Sequence, residues 1–407
     1  MKLRWTLLAL FVPVLALAQK GPSGNWVATW ATAEMLARTT PPQPTDPLGF
    51  DNQTVRMIAR TSIGGNHLRI KLENAFGSAP VVVAAAHIAL RAKDSAIVEG
   101  SDRALSFGGE PSITLGAGML LLSDPVDLKV APLTDLAISL YFSGPTGSPT
   151  YHGTGLHDTY ISKEGDETSA PSILEPRITQ SYYYLAAVDV LTFRNEEAVV
   201  AYGDSITDGA RSTNETDHSW PALLAARLAR DKKTANLAVV NLGISGNRVV
   251  RDGAGVSALA RFDRDVLSQS GVKWLMVLEG INDIGRGFSV PGEPVTAEDL
   301  IAAYKQIIHR AHSHGIKVIG CTLTPYAGAG YYREGGEAVR QAVNDWIRGG
   351  GAYDAVVDFE KATRDSANPG RFRAAFDPGD HLHPNDAGYQ AMADAVDLAI
   401  FGKKGPK

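Results

Sequence analysis

The second half of the sequence carries, in this order, Gly203-Asp204-Ser205, Ser245-Gly246-Asn247, Gly280-Ile281-Asn282-Asp283 and Asp380-His381-Leu382-His383. Acyl transfer needs a hydroxyl that can lose its proton, a base to take it, and donors for the oxyanion that grows on the attacked carbonyl. These strings hold all three. Ser205 directly follows an apolar stretch, and Gly203 lets the backbone turn sharply there. Gly246 lets a backbone N–H approach an oxyanion with no Cβ in the way, and Asn282 offers an amide N–H without adding charge. Asp380 and His383, three apart on a turn, can set carboxylate and imidazole side by side. The carboxylate then holds the tautomer while the second ring nitrogen faces the hydroxyl. His381 follows Asp380 directly and should point elsewhere, in a structural role.

Taken singly, each string has an ordinary reading: a Gly-Asp turn with Ser205 capping the next helix, a turn after a strand at Gly246, an Asx-turn at Asn282. Two glycines, Gly243 and Gly246, precede Asn247, and the pattern leaves room for either. The flanks of Ser205 read Gly-Asp-Ser-Ile-Thr, not the Gly-x-Ser-x-Gly nucleophile elbow. What joins the strings is position: each follows a segment that reads as a buried strand, so one sheet edge would collect them.

The elements that must do this change period near residues 190–197. From about 26 to 190 the pattern is short, alternating and rich in Gly, Pro and Asp. Segments 55–60 and 68–72 alternate on either side of Ile63-Gly64-Gly65-Asn66, a hairpin signal. Further strands are expected at 81–86, 88–91, 112–115 and 136–142, giving an all-β sandwich or jelly roll over 25–192. From 197 the chain alternates strand-like runs (198–202, 238–241, 274–279, 316–322, 355–358) with helical ones (221–230, 257–267, 297–314, 337–347, 386–400). Thr296 with Asp299 should cap the helix at 297, and Gly315 should end it. Such alternation means a parallel sheet covered by helices on both faces, which binds ligands beyond the carboxyl ends of its strands.

The whole sequence has 407 residues, 44% of them hydrophobic, enough for full-sized cores. Lys2 and Arg4 before an apolar run at 7–17, then Ala16-Leu17-Ala18, read as a signal peptide over 1–18, so the mature protein should be exported. Loss of those two cations moves the formal charge from −5 to −7. A mildly acidic chain without a basic run argues against nucleic acid or anionic lipid as partner, and no later apolar stretch is long enough for integral membrane association. Cys321, the sole cysteine, sits in an apolar run and should be a small core residue rather than a nucleophile. No ligand cluster of metal-binding spacing surrounds His381 and His383. The oligomeric state is not legible.

The four strings resemble the Ser, Gly, Asn and His blocks of the SGNH branch of the GDSL hydrolases, over residues 197–401, about half the chain. The longer runs Asp204-Ser205-Ile206-Thr207-Asp208-Gly209, Glu279-Gly280-Ile281-Asn282-Asp283-Ile284 and His381-Leu382-His383-Pro384-Asn385 share the resemblance. It implies a three-layer α/β/α, flavodoxin-like domain on a five-stranded parallel sheet, spanning 196–403, and serine-esterase chemistry without cofactor or metal. By motif, Ser205 is the nucleophile, His383 the base and Asp380 its orienter. The backbone N–H groups of Ser205 and Gly246, with the Asn282 side chain, form the oxyanion hole. The layout is similar to exported bacterial SGNH proteins with a β domain ahead of the hydrolase.

That family cleaves acetyl and aryl esters, lysophospholipids and ester-decorated plant polysaccharides, so the fold does not choose a substrate. Phe288, Tyr326, Tyr331 and Tyr332, among glycines in 285–294 and 324–336, suit sugar stacking or else cover the sheet edge. The expectation is an esterase removing small acyl groups, acetyl foremost, from carbohydrate, whose activity falls as pH drops and His383 takes up a proton. Lipolytic, lysophospholipase-type or arylesterase activity is the alternative. A glycan-binding protein, using Trp26, Trp30 and Tyr182-Tyr183-Tyr184 beside a vestigial hydrolase domain, is the alternative of another class. The β half could also simply pack against the other and shape its cleft.

Overall fold

The computed structural model describes residues 24–37 and 46–402; the expected export leader at 1–18 lies outside them. Up to Thr192 the strands are antiparallel and form two main sheets. One contains, in order, Asn25–Ala31, Leu185–Thr192, Gly65–Glu73 and Val126–Val130, with Leu120–Leu122 also paired to Gly65–Glu73. The other is built on Gln53–Arg60, Asp135–Phe142 and Ala85–Lys93, with shorter strands at its edges.

The hairpin expected across residues 63–66 does not form. Gln53–Arg60 pairs with Asp135–Phe142, whereas Gly65–Glu73 pairs with Leu185–Thr192, in the opposite sheet. The connection is an arch from one sheet to the other, held by Ser62 N–H on the Thr29 carbonyl and Thr61 N–H on the Thr134 carbonyl. Gly64 lies so close to this crossing that a Cβ would stand 2.5 Å from the Val130 carbonyl oxygen.

The second half holds five parallel strands: β1 (Glu197–Gly203), β2 (Leu237–Gly243), β3 (Val272–Leu278), β4 (Lys317–Cys321) and β5 (Ala355–Val357). Their spatial order is 2-1-3-4-5. β1 and β2 are buried along nearly their whole length, as continuous apolar runs covered on both faces must be. The helices are α1 (Ser205–Asp208), α2 (Trp220–Arg230), α3 (Ala258–Phe262), α4 (Ile281–Ser289), α5 (Ala297–Ser313), α6 (Glu334–Gly349), α7 (Phe359–Thr363) and α8 (Asp386–Ala395). The crossover from β1 to β2 runs one way along the sheet, and those from β2 to β3, β3 to β4 and β4 to β5 run the other. Right-handed crossovers in opposite directions put their helices on opposite faces. Accordingly α2 packs with α8, and α5 with α3 and α6. The strand order reverses beside β1, so the crevice between the ends of β1 and β3 is the place where such a sheet binds ligands.

Thr296 and Asp299 form the expected capping box of α5, and Gly315 follows it with φ of 68°. Two expected helices are shorter. The one at 257–267 divides into α3 and a π-helical turn, Asp263–Leu267, and the one at 386–400 ends at Ala395, before a 3₁₀ segment, Leu398–Gly402.

Of the aromatic residues considered for glycan binding, the three tyrosines lie in the core, while Trp26 and Trp30 are half-buried. Tyr182, Tyr183 and Tyr184 are buried, Trp30 meets Tyr182 edge-on, and Arg69 lies over the Trp26 ring. One continuous apolar core runs from Val27 and Val188 in the β half to Val199, Val240 and Ile319 in the parallel sheet. Cys321 is buried in it, and burial pushes its thiol up, which fits a core residue.

Candidate active site

Ser205 begins α1, a single turn placed directly on the end of β1. Asp204 caps it, its side chain accepting from Ile206 N–H at 3.0 Å, and Gly209 ends it in the left-handed region. The serine is therefore both the residue after a strand and the first of a helix. Its N–H is one that no helix satisfies internally. α1 lies hard against the end of β2, where Asn241 Nδ2 donates to the Thr207 carbonyl at 2.9 Å.

His383 and Asp380 arrive from the far end of the chain, on the turn before α8. Asp380 Oδ1 accepts the N–H groups of Leu382 and His383, both at 3.0 Å, which folds the turn around the carboxylate. Its other oxygen lies 2.9 Å from His383 Nδ1, and His383 Nε2 lies 2.9 Å from Ser205 Oγ. Nδ1–H thus donates to the carboxylate, leaving Nε2 to accept the serine proton. Burial raises the Asp380 carboxyl, but the His383 and Leu382 N–H groups and the imidazole outweigh it and hold the group at about 2. Arg211 Nε, on the loop after α1, donates to Asp380 Oδ2 at 3.0 Å.

Gly246 is exposed at the tip of the loop after β2 with φ of 83°, and among the described residues no acceptor takes its N–H. Gly243, the other glycine of that string, ends β2 against α1. Asn282 sits in the first turn of α4, a helix that begins at the positive-φ Gly280 and that a loop reading of 285–294 misses. Its Nδ2 donates one hydrogen to the Asn247 carbonyl at 2.9 Å, which leaves the second free to point elsewhere. Tyr331 Oη donates to Asn282 Oδ1 at 3.3 Å, which fixes the orientation of the amide.

His381 is turned away from Ser205, its Nδ1 on Asp377 Oδ2 and its backbone at φ of 60°. Of the loop aromatics, Tyr326 is fully buried and presents no face to a ligand. Tyr331 and Tyr332 are half-buried and Phe288 is exposed. Among the described residues no group of three or more His, Cys, Asp and Glu side chains is arranged to hold a metal ion.

Beneath these groups lies a buried charged cluster that the strings do not announce. Arg261, on α3, donates to the Gly203 carbonyl at 2.9 Å, the Leu242 carbonyl at 2.8 Å and Asn247 Oδ1 at 2.8 Å. One guanidinium thereby ties the ends of β1 and β2 to the Gly246 loop. Asp283 accepts the N–H groups of Val249 and Val250, and burial raises its carboxyl to about 6 against those bonds. Burial also raises Glu279 well above the usual carboxylate range, with Asp204 nearby adding to it.

Comparison with known proteins bears on the same half. Residues 201–391 match the GDSL-like Lipase/Acylhydrolase family. No curated protein matches the chain. Among solved structures it is similar to LAE5, an alpha/beta hydrolase enzyme from the metagenome of Lake Arreo, Spain, with 26% identity over 51% of this chain and 95% of that one, at a TM-score of 0.39. A GDSL-like lipase from Bacteroides thetaiotaomicron VPI-5482 has 21% identity over 52% of this chain and 91% of its own, also at 0.39. Axe2, an acetylxylan esterase from Geobacillus stearothermophilus, has 24% identity over 51% and 95%, at 0.39. Residues 201–391 therefore carry a GDSL-like lipase/acylhydrolase domain, and through that domain the protein is a serine esterase.

Proposed function

We propose that Ser205, His383 and Asp380 hydrolyse a carboxylic ester through an acyl-enzyme. The observation that carries this is the 2.9 Å contact between Ser205 Oγ and His383 Nε2, 178 residues apart in sequence. His383 takes the hydroxyl proton as Oγ attacks the carbonyl carbon, then returns it to the leaving alcohol oxygen. A water, deprotonated by the same nitrogen, attacks the acyl-enzyme and releases the acid. Asp380 stays ionised throughout and stabilises the imidazolium formed in each half. The N–H groups of Ser205 and Gly246 and the Asn282 amide receive the oxyanion; each such donor is worth about 10²–10³-fold in turnover.

The substrate is an ester of a small acyl group, acetyl foremost, on a carbohydrate. Exposed Phe288, near the end of α4, and half-buried Tyr332, on the loop before α6, support a sugar-stacking rim. The parallel-sheet half over 196–403 performs the reaction, the β half over 25–192 shapes it, and the leader at 1–18 exports it. Ser205→Ala should lower turnover of 4-nitrophenyl acetate by about 10⁴-fold or more. Undiminished turnover in that variant would refute the esterase mechanism. Rates that climb steadily from C2 to C12 acyl chains would replace the carbohydrate-ester reading with a lipolytic one.

A further inference from the structure

We infer that His152, on the β half, is a positioning residue for the oxyanion loop of the hydrolase half, acting through Asp208 and Ser245. The inference rests on the proposed role of Gly246. His152 is buried, and both ring nitrogens face acceptors: Nδ1 lies 2.7 Å from the Ala33 carbonyl oxygen and Nε2 lies 3.0 Å from Asp208 Oδ1. Only a doubly protonated ring donates to both, so the pair is an imidazolium against a carboxylate. Burial pulls the imidazole's affinity for a proton down, the Asp208 carboxylate reverses that, and the group sits above its ordinary value.

The other Asp208 oxygen accepts from Ser245 N–H at 2.8 Å and from Ser245 Oγ at 2.6 Å. Ser245 Oγ is in turn 3.1 Å from Thr154 Oγ1, again from the β half. Asp208 closes the one-turn helix that Ser205 opens, and Ser245 immediately precedes Gly246. One carboxylate therefore spaces two oxyanion donors, the N–H groups of residues 205 and 246. His152 occupies the oxygen that would otherwise be free to turn, and so sets the carboxylate's rotation. A buried carboxylate with its charged partner removed must protonate or reorient, and either change releases Ser245. The β half thus supplies part of the machinery's alignment as well as packing against it.

The test uses the full chain and 4-nitrophenyl acetate. His152→Gln, Asp208→Asn and Ser245→Ala should each lower kcat by about 10–100-fold, since displacement of a donor by about 1 Å costs on this order. KM and the acid limb of the kcat/KM profile should not move, because neither substrate binding nor His383 is touched. The double variant His152→Gln/Ser245→Ala should be no slower than the slower single one, the signature of a shared path. Ser245→Ala deletes only a half-buried hydroxyl, so it reads the relay even if the His152 variant does not fold. A folded His152 variant with kcat within twofold of the parent, additive losses in the double variant, or a loss confined to KM would overturn the inference. None of those results touches the esterase mechanism, which stands or falls with Ser205→Ala.

Discussion

Gly243→Ala is the most demanding test of how the proposed nucleophile, Ser205, is held. Gly243 does not have positive φ, so an alanine is conformationally allowed there. Space forbids it: a Cβ would stand 2.2 Å from Asp208 N, 2.6 Å from Asp208 Cα and 2.8 Å from Thr207 C. All three are backbone atoms of α1, so no rotamer change relieves them. Ordinary contact begins at 3.4 Å, hence α1 and the end of β2 must part by about 1.2 Å. α1 is one turn long and carries Ser205, whose Oγ is 2.9 Å from His383 Nε2. A shift of that size breaks the hydrogen bond, and a misplacement of about 1 Å costs about 10²-fold in rate. Overpacking of this kind also destabilises by about 1–3 kcal/mol. The expected outcome, from 4-nitrophenyl acetate kinetics and thermal denaturation, is a folded protein with kcat/KM lowered about 100-fold. Gly246→Ala is the internal comparison. Its Cβ would meet only Ala254 Cβ at 3.3 Å, and its main cost is φ of 83°, about 1–2 kcal/mol. Although Gly246 lies nearer the proposed oxyanion, its variant should lose less activity. A folded Gly243→Ala variant within threefold of the parent would refute the claim that this contact sets the nucleophile turn.

Two further outcomes follow from the site. Glu279 is fully buried with its carboxyl raised, so the native chain holds that proton more tightly than the unfolded chain, and stability falls as pH rises from about 4.3 toward the raised value. Glu279→Gln should therefore match the parent in melting temperature near pH 5 and exceed it at pH 8; a variant less stable at both pH values would show that the ionised form is needed. His381→Asn should keep turnover within about threefold, because the side chain is directed to Asp377 and asparagine tolerates φ near 60°; a 100-fold loss of kcat would mean that His381, too, serves the reaction.

What the sequence makes legible, and what it hides, divides along one physical line. Ser205, Gly246 and Asn282 are legible because each stands in a short string just past the end of a strand, and the parallel sheet turns that local position into a shared edge. Asp380 and His383 stand instead on the turn before α8, well past β5, and are legible because a spacing of three pairs the carboxylate with the imidazole. The cap at Thr296 is legible for the same reason: its partner is three residues away. The arch at 61–64 is misread because turn residues and alternation are the same whether two strands pair with each other or with different neighbours. Only the other strands decide that. α4 is hidden by Gly285 and Gly287, which look like loop residues; at Gly285 a Cβ would lie 2.0 Å from the Tyr331 ring, so the glycine records a packing partner 46 residues on. Tyr326 has the same composition as a sugar platform and is core. Arg261, Asp208 and His152 are the least visible, because a buried charge has meaning only through partners that other elements bring to it. Arg261 collects carbonyls from two strands, and Asp208 joins a histidine from the β half to a serine of the hydrolase half. Such groups cost several kcal/mol to bury and survive only when fully paired. A change of period near residue 192 therefore marks where the architecture changes, while the electrostatics that align the site run straight across it.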